Sequence, residues 1–240
     1  MKITSLQNKQ IIEFNKLKQK KYRDETGLFL VEGDHLINEA KKVGKIYKTI
    51  GLDDTYDYEV TKEILDKLSS QVSGTNEIGI VNKLNEKEIK GNVIILDNIQ
   101  DPGNLGTIIR SAVAFNIDTI ILSDDTVDLY NDKVIRSSEG MIFHVNILRR
   151  NLKEIIPELK KEGYVVYATT VNGNGNFDND SKIALVIGNE GNGISNDIFD
   201  LCDKNITIEM NNKCESLNAG VSASILMYEM GKLKWKNIYI

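Results

Sequence analysis

Cysteine and histidine are almost missing from this chain. Only Cys202 and Cys214 occur among 240 residues, too few for a disulfide framework or a zinc site. His35 and His144 stand alone, with no ligand partners nearby in sequence, so they read as structural or surface residues. No metal dependence is expected. Long apolar runs are missing too: none approaches the roughly 20 residues needed to span a bilayer. The first eight residues, Met1 to Asn8, lack a signal-peptide core. The expected location is the cytoplasm, with no membrane partner. There is no internal repeat and no low-complexity linker. An excess of positive charge is also absent. The net charge of −5 argues against a generally basic nucleic-acid binder.

What is present suffices for a folded protein. With 41% hydrophobic residues the chain can bury a core, and its length admits two modest domains or one large one. The charge is uneven. Residues 1–23 carry seven basic side chains and one acid, Glu13, whereas residues 91–240 carry 14 basic and 20 acidic groups. A basic arm on an acidic body suggests a local polyanion contact. A solvated amphipathic helix explains the same charges equally well.

The best domain boundary is the charged stretch from Asn85 to Asn92, which gives domains at 1–90 and 91–240. Upstream, the pattern predicts a helix from Ile3 to Lys21, a strand at Leu28–Val31 ending at Glu32-Gly33, and a helix from Asp34 to Val43. A helix at Thr61–Leu68 and a strand at Ile78–Val81 follow. Downstream, strands at Val93–Leu96, Thr119–Leu122, Tyr164–Ala168, Ile183–Ile187 and Ile206–Met210 alternate with helices. The helices are expected at Leu105–Phe115, Leu152–Glu162 and Ser216–Leu233. Such alternation means an α/β domain with a parallel sheet covered on both faces.

Three segments stand where these strands end, which is where open α/β sheets bind ligands. The first runs from Asp97 to Arg110. Pro102 and Gly103 shape its turn, and Asn104 is in position to cap the helix. Arg110 falls on the polar face of that helix, where an arginine is usually just solvated. The second runs from Leu185 to Ser195. Its Gly188-Asn-Glu-Gly-Asn-Gly193 spacing does not match the G-x-G-x-x-G fingerprint of dinucleotide-binding proteins. Its glycines let backbone approach a ligand closely. Glu190 is either an exposed turn carboxylate or a functional one. The third runs from Ile208 to Asn218, where Ser216 or Asn218 can cap the last helix. That helix carries small residues at Ala219, Gly220, Ser222, Ala223 and Ser224, suited to close packing.

Taken together and in order, these segments resemble the three motifs of the SpoU/TrmH family of RNA ribose 2′-O-methyltransferases. Residues Lys133 to Phe143, with Arg136, Ser137 and Gly140, resemble the segment between the first two motifs. The resemblance covers roughly residues 93–233. More weakly, Phe29 to Gly33 and the helix after it resemble the start of an L30e-type RNA-binding domain. The resemblance implies a C-terminal domain with a deep trefoil knot, a fold that the prior against knots would never propose. It also implies S-adenosylmethionine as cofactor, RNA as substrate and a homodimer formed through the last helix. Catalytic roles are implied for Asn104, Arg110, Glu190, Ser216 and Asn218. Cofactor contacts are implied for Gly188, Ile208 and Leu217, with Met210 and Thr169 beside them.

Methyl transfer to a ribose hydroxyl is an in-line displacement, so the protein's part is chiefly positioning and help with the proton. An arginine is ordinarily locked in its charged form, which makes orienting phosphate or stabilising alkoxide easier for Arg110 than acting as a base. Ribosomal RNA is the favoured substrate because of the added N-terminal domain, with transfer RNA as the alternative. A catalytically silent knotted RNA-binding or assembly factor, and a knotted base methyltransferase, are the other classes considered. The Asn104–Arg110 frame and the Ser216-Leu217-Asn218 run argue against the last.

Overall fold

A computed structural model describes residues 1–178 and 180–236. The chain forms two compact units. The first comprises Met1–Asn85 and Asp128–Phe143; the second comprises Glu86–Val127 and the chain from His144 onward.

The first unit holds β1 (Lys2–Ile3), α1 (Lys9–Lys16), α2 (Lys20–Thr26), β2 (Leu28–Glu32), α3 (Asp34–Lys42), β3 (Ile46–Gly51), β4 (Tyr58–Val60), α4 (Lys62–Leu68) and β5 (Glu77–Asn82). Its mixed sheet has the order β1-β4-β3-β5-β2. Ile11, Phe14, Ile50, Ile64, Leu65 and Ile78 are among its buried core. The single helix expected over Ile3–Lys21 is instead a short strand and two helices. Asn8 Oδ1 accepts from Gln10 N and starts α1 late. At the break, the buried Arg23 guanidinium donates to the carbonyls of Leu17 and Lys18, both at 2.8 Å. Those carbonyls are therefore not available to continue the helix. Strands β3 and β4 were not anticipated, because their sequences mix polar and apolar residues without clean alternation.

The basic N-terminus is not an open arm. Lys2 pairs with Glu59, Lys16 with Glu13 and Lys20 with Asp24. Lys18 Nζ donates to the carbonyls of Lys67 and Ser69. Exposed pairs of this kind are weak and yield readily to a phosphate competitor.

The second unit holds β6 (Val93–Leu96), α5 (Pro102–Ala114) and β7 (Thr119–Leu122). After α6 (Asp132–Ser137), which belongs to the first unit, and a 3₁₀ turn at Met141–His144 come β8 (Asn146–Arg149), α7 (Leu152–Lys161), β9 (Val165–Asn174), β10 (Ile183–Ile187), α8 (Asn196–Phe199), β11 (Lys204–Ile206) and α9 (Ala219–Lys236). The sheet order is β11-β9-β10-β6-β7-β8, and every pairing is parallel. All residues of β6, β7 and β10 are buried, which explains their unbroken apolar runs. Val93, Ile95, Ile121 and Val186 pack with α7 through Ile155, Ile156 and Leu159. The third-motif strand is shorter than expected: β11 ends at Ile206, and residues 207–210 lie outside any strand. The final helix begins at Ala219 rather than Ser216.

The segment Asp128–Phe143 groups with the first unit, although a division at residue 90 would assign it to the second. The contacts explain this. Arg23 Nη2 donates to Asp128 at 2.6 Å, and the Phe29 ring lies 4.7 Å from Tyr130 and 6.4 Å from Phe143. Leu84 N donates to the Tyr130 hydroxyl, and His35 Nε2 lies 3.1 Å from the carbonyl of Glu139.

Candidate active site

The chain runs β6, β7, β8 to one side of the sheet and then returns to place β10 against β6. At such a switch in strand order, the loops leaving the carboxyl ends of neighbouring strands diverge and leave a crevice. The loops after β6 and β10 are the first two motifs.

They are bonded to each other. Asp97, buried at the end of β6, accepts from both the backbone N and the Oγ of Ser195, each at 2.8 Å. Asn189 Nδ2 donates to the carbonyl of Asn98 at 2.8 Å. Within the glycine loop, Asn189 and Gly193 exchange backbone bonds of 2.9 Å, and Asn189 Oδ1 accepts from Gly191 N and Asn192 N. Gly188 has no room for a side chain: a Cβ there would lie 2.2 Å from Gly193 C and Ile194 N.

Asp101, not Asn104, caps α5, accepting from Asn104 N at 2.9 Å. This frees the buried Asn104 side chain for another task. Its Nδ2 donates to Glu190 Oε1 at 2.9 Å, and its Oδ1 accepts from Asn218 Nδ2 at 2.8 Å. Glu190 also accepts from Gln100 N and Asp101 N, each at 3.2 Å. Partial desolvation of this largely exposed residue pushes the Glu190 carboxyl up, but the Asn104 amide and these backbone donors outweigh it and hold the group below its ordinary range. A carboxylate so stabilised is a poor proton acceptor and a firm orienting group. Asn218 does two things at once. Its Oδ1 accepts from Val221 N, capping α9, while its amide supports Asn104.

A cavity of about 460 Å³ opens beside this cluster. Thr169, Gly188, Ile208, Met210 and Leu217 all line it, as do Glu190 and Ser216. The five residues assigned to the cofactor thus surround one space of a size that suits a nucleoside-like ligand. Arg110 is exposed on α5; it does not line this cavity and does not join the Asn104–Glu190–Asn218 bonds. Among the described residues, no group of three or more His, Cys, Asp or Glu is placed to hold a metal ion. The Asp97–Ser195 clamp and the backbone donors at Gln100 and Asp101 escaped the sequence reading. Asp97 and Ser195 do bound the first two motifs, but nothing local pairs residues so far apart.

The SpoU rRNA Methylase family model matches residues 91–228, more than half of the chain, and spans every element of this site. The chain belongs to the SpoU rRNA methylase family. A second family, the MRM3-like substrate binding domain, matches residues 8–79. Among curated relatives of this SpoU-family chain is the 23S rRNA (guanosine(2553)-2′-O)-methyltransferase RlmP of Bacillus subtilis (strain 168). It is 35% identical over 95% of this chain and 98% of its own. Among solved structures, the AdoMet-bound rRNA methyltransferase from Sinorhizobium meliloti superposes with a TM-score of 0.86. It is 26% identical and covers 97% of both chains. A crystal structure of an RNA 2′-O ribose methyltransferase superposes with a TM-score of 0.83 at 26% identity, covering 98% of this chain and all of the other.

Proposed function

We propose that this SpoU-family chain transfers a methyl group from S-adenosylmethionine to a ribose 2′-hydroxyl of ribosomal RNA, with 23S rRNA as the substrate. The observation that carries this reading is the Asn104–Glu190–Asn218 cluster at the wall of a glycine-lined cavity. The names of the full-length relatives agree with it.

The cavity fits the cofactor. Gly188 lets backbone form its wall, and the segments at Ile208 and Leu217 leave peptide groups outside any strand or helix, able to bond an adenine edge. Gly188, Ile208 and Leu217, with Met210 and Thr169, would hold it. The bound cofactor supplies an activated methyl group. Glu190, held ionised, orients a polar group at the cavity wall. Asn104 and Asn218 fix Glu190, and Ser216 adds a hydroxyl. Arg110, exposed and cationic, faces solvent where a phosphate can reach it, and we assign it to the RNA at the reacting ribose.

The residues from 1 to 90 choose the RNA, a role supported by the substrate-binding family match at 8–79. We further infer a trefoil knot, which suits the parallel order of the sheet, and a homodimer through α9. Val221, Ile225 and Tyr228 recur along one exposed stripe of that helix, and Phe115 packs 5.5 Å from Tyr228. A stripe with this spacing on a surface helix is suited to a partner. Such a chemistry belongs in the cytoplasm, and no described helix is long and apolar enough to cross a membrane.

The test is incubation with labelled S-adenosylmethionine and unmodified 23S rRNA, followed by mapping of 2′-O-methylation. A single methylated ribose is expected. Saturable cofactor binding without transfer to any RNA would overturn the catalytic reading in favour of a silent RNA-binding factor.

A further inference from the structure

Arg149, at the end of β8, has no place in the motifs, yet it gathers more loop carbonyls than any other described cation of the methyltransferase sheet. Its Nη1 donates to the carbonyls of Ser123, of Asp124 and Thr126 at 2.9 Å, and its Nη2 donates to Val127 O at 3.0 Å. One planar fork therefore gathers four carbonyls of the loop after β7. Within the loop only Thr126 N bonds back to one of these carbonyls, that of Ser123 at 3.2 Å, among the bonds described, and a lysine's single ammonium group cannot span all four.

The loop so gathered is the floor under the first motif. Ser123 Oγ accepts from Asn98 N at 2.9 Å, and Thr126 Oγ1 donates to Leu96 O. Val127 N donates to Ile99 O at 2.9 Å, and Gln100 Nε2 donates to Asp125 O at 2.7 Å. These bonds shape the stretch from Asn98 to Gln100, where Asn98 sits at φ +61°, a left-handed conformation that asparagine adopts more readily than most other side chains. The same stretch delivers Gln100 N to Glu190 and the Asn98 carbonyl to Asn189.

We propose that Arg149 is a positioning residue for methyl transfer, acting through the loop at 123–127 to hold Gln100 and Asn98 against Glu190 and Asn189. The inference rests on the proposed methyltransferase reading. It places a requirement for catalysis on a side chain that touches neither the cavity nor the carboxylate. The cavity walls at Ile208, Met210 and Leu217 have no bond to this loop, and Asn189 and Glu190, which also line the cavity, keep their own loop's bonds, so the larger effect falls on transfer rather than on cofactor binding.

The experiment uses the full chain. Single-turnover methyl transfer is measured at saturating RNA and cofactor for the parent, Arg149→Ala, Arg149→Lys and Gln100→Ala, with S-adenosylmethionine affinity measured by calorimetry. The expected result for Arg149→Ala is a rate loss on the order of 10- to 100-fold, the usual cost of a small misplacement at a reacting centre. Cofactor affinity stays within about threefold, and the lysine variant is not rescued. Low-millimolar guanidinium ion restores rate to Arg149→Ala, whereas ammonium does not, a response that a general loss of stability would not show. A folded Arg149→Ala variant with the parent rate overturns the inference. If that variant fails to fold, Gln100→Ala decides, because this exposed residue supplies one link of the same chain and its loss does not threaten the core; an unchanged rate there also overturns the inference. A parent protein that transfers no methyl group overturns the function itself, which is a different outcome from either.

Discussion

Replacing Asn104 by aspartate tests the site with one change of atom type. Asn104 Nδ2 donates to Glu190 Oε1 at 2.9 Å, and an aspartate of the same shape puts an oxygen there instead. Two full charges at that separation repel by about 1.5 kcal/mol at a dielectric constant of about 80 and by about 6 kcal/mol at about 20. Glu190 is exposed, so solvent screens the pair and a value of about 3 kcal/mol is reasonable. The pair avoids this cost by retaining a proton, which lets the introduced carboxylic acid donate to Glu190 as the amide did. The two carboxyls then titrate as a unit, with one step raised above the unfolded value. A group raised in the folded state contributes stability at low pH and loses it as pH rises through the folded value. The variant should therefore come closest to the parent near pH 4, below which the unfolded carboxyl also holds its proton, and fall furthest behind it near pH 8.5, by roughly 6–12 °C in Tm for a chain of this size. Its methylation rate should show the same alkaline loss. Thermal unfolding of both proteins at the two pH values is the assay. A Tm difference that does not change with pH would refute the placement of Asn104 against an ionised Glu190.

Three further substitutions each act on a single set of contacts. Gly188→Ala should abolish cofactor binding or folding, since its Cβ meets backbone at 2.2 Å; calorimetric titration with S-adenosylmethionine would contradict this if affinity were unchanged. Arg110→Ala should cost within about 1 kcal/mol of stability because the residue is exposed, yet should slow single-turnover transfer by ~10²–10³ with cofactor affinity intact; parent-like rates in the folded variant would remove Arg110 from the catalytic set. Arg23→Met should destabilise the first unit by about 3–5 kcal/mol in denaturant unfolding, because Asp128 loses its 2.6 Å partner and two helix-end carbonyls lose their donor; a loss below about 1 kcal/mol would mean that water replaces the guanidinium freely.

Sequence alone determined the parallel α/β class of the second unit and the three loops that make its site. Buried parallel strands need apolar side chains on both faces, so β6, β7 and β10 are visible as unbroken runs. The glycines after β10 are visible because backbone must turn and approach closely there. Mixed strands such as β3 and β4 carry no such mark. Nor does the break between α1 and α2, made by Arg23 from beyond the turn. The cap of α5 lies three residues before the Asn104 that the sequence suggested, because Asp and Asn suit a cap alike; only the tertiary structure assigns Asp101 to the cap and Asn104 to Glu190. The site itself joins residues 86 and 114 positions apart, and Arg149 reaches loops more than 20 positions away. The capture of Asp128–Phe143 by the first unit rests on similarly distant partners. Periodicity and turn chemistry report on neighbours within a few residues. Strand order decides which distant loops meet, and here it is strand order that brings the carboxylate, its amides and the cavity together.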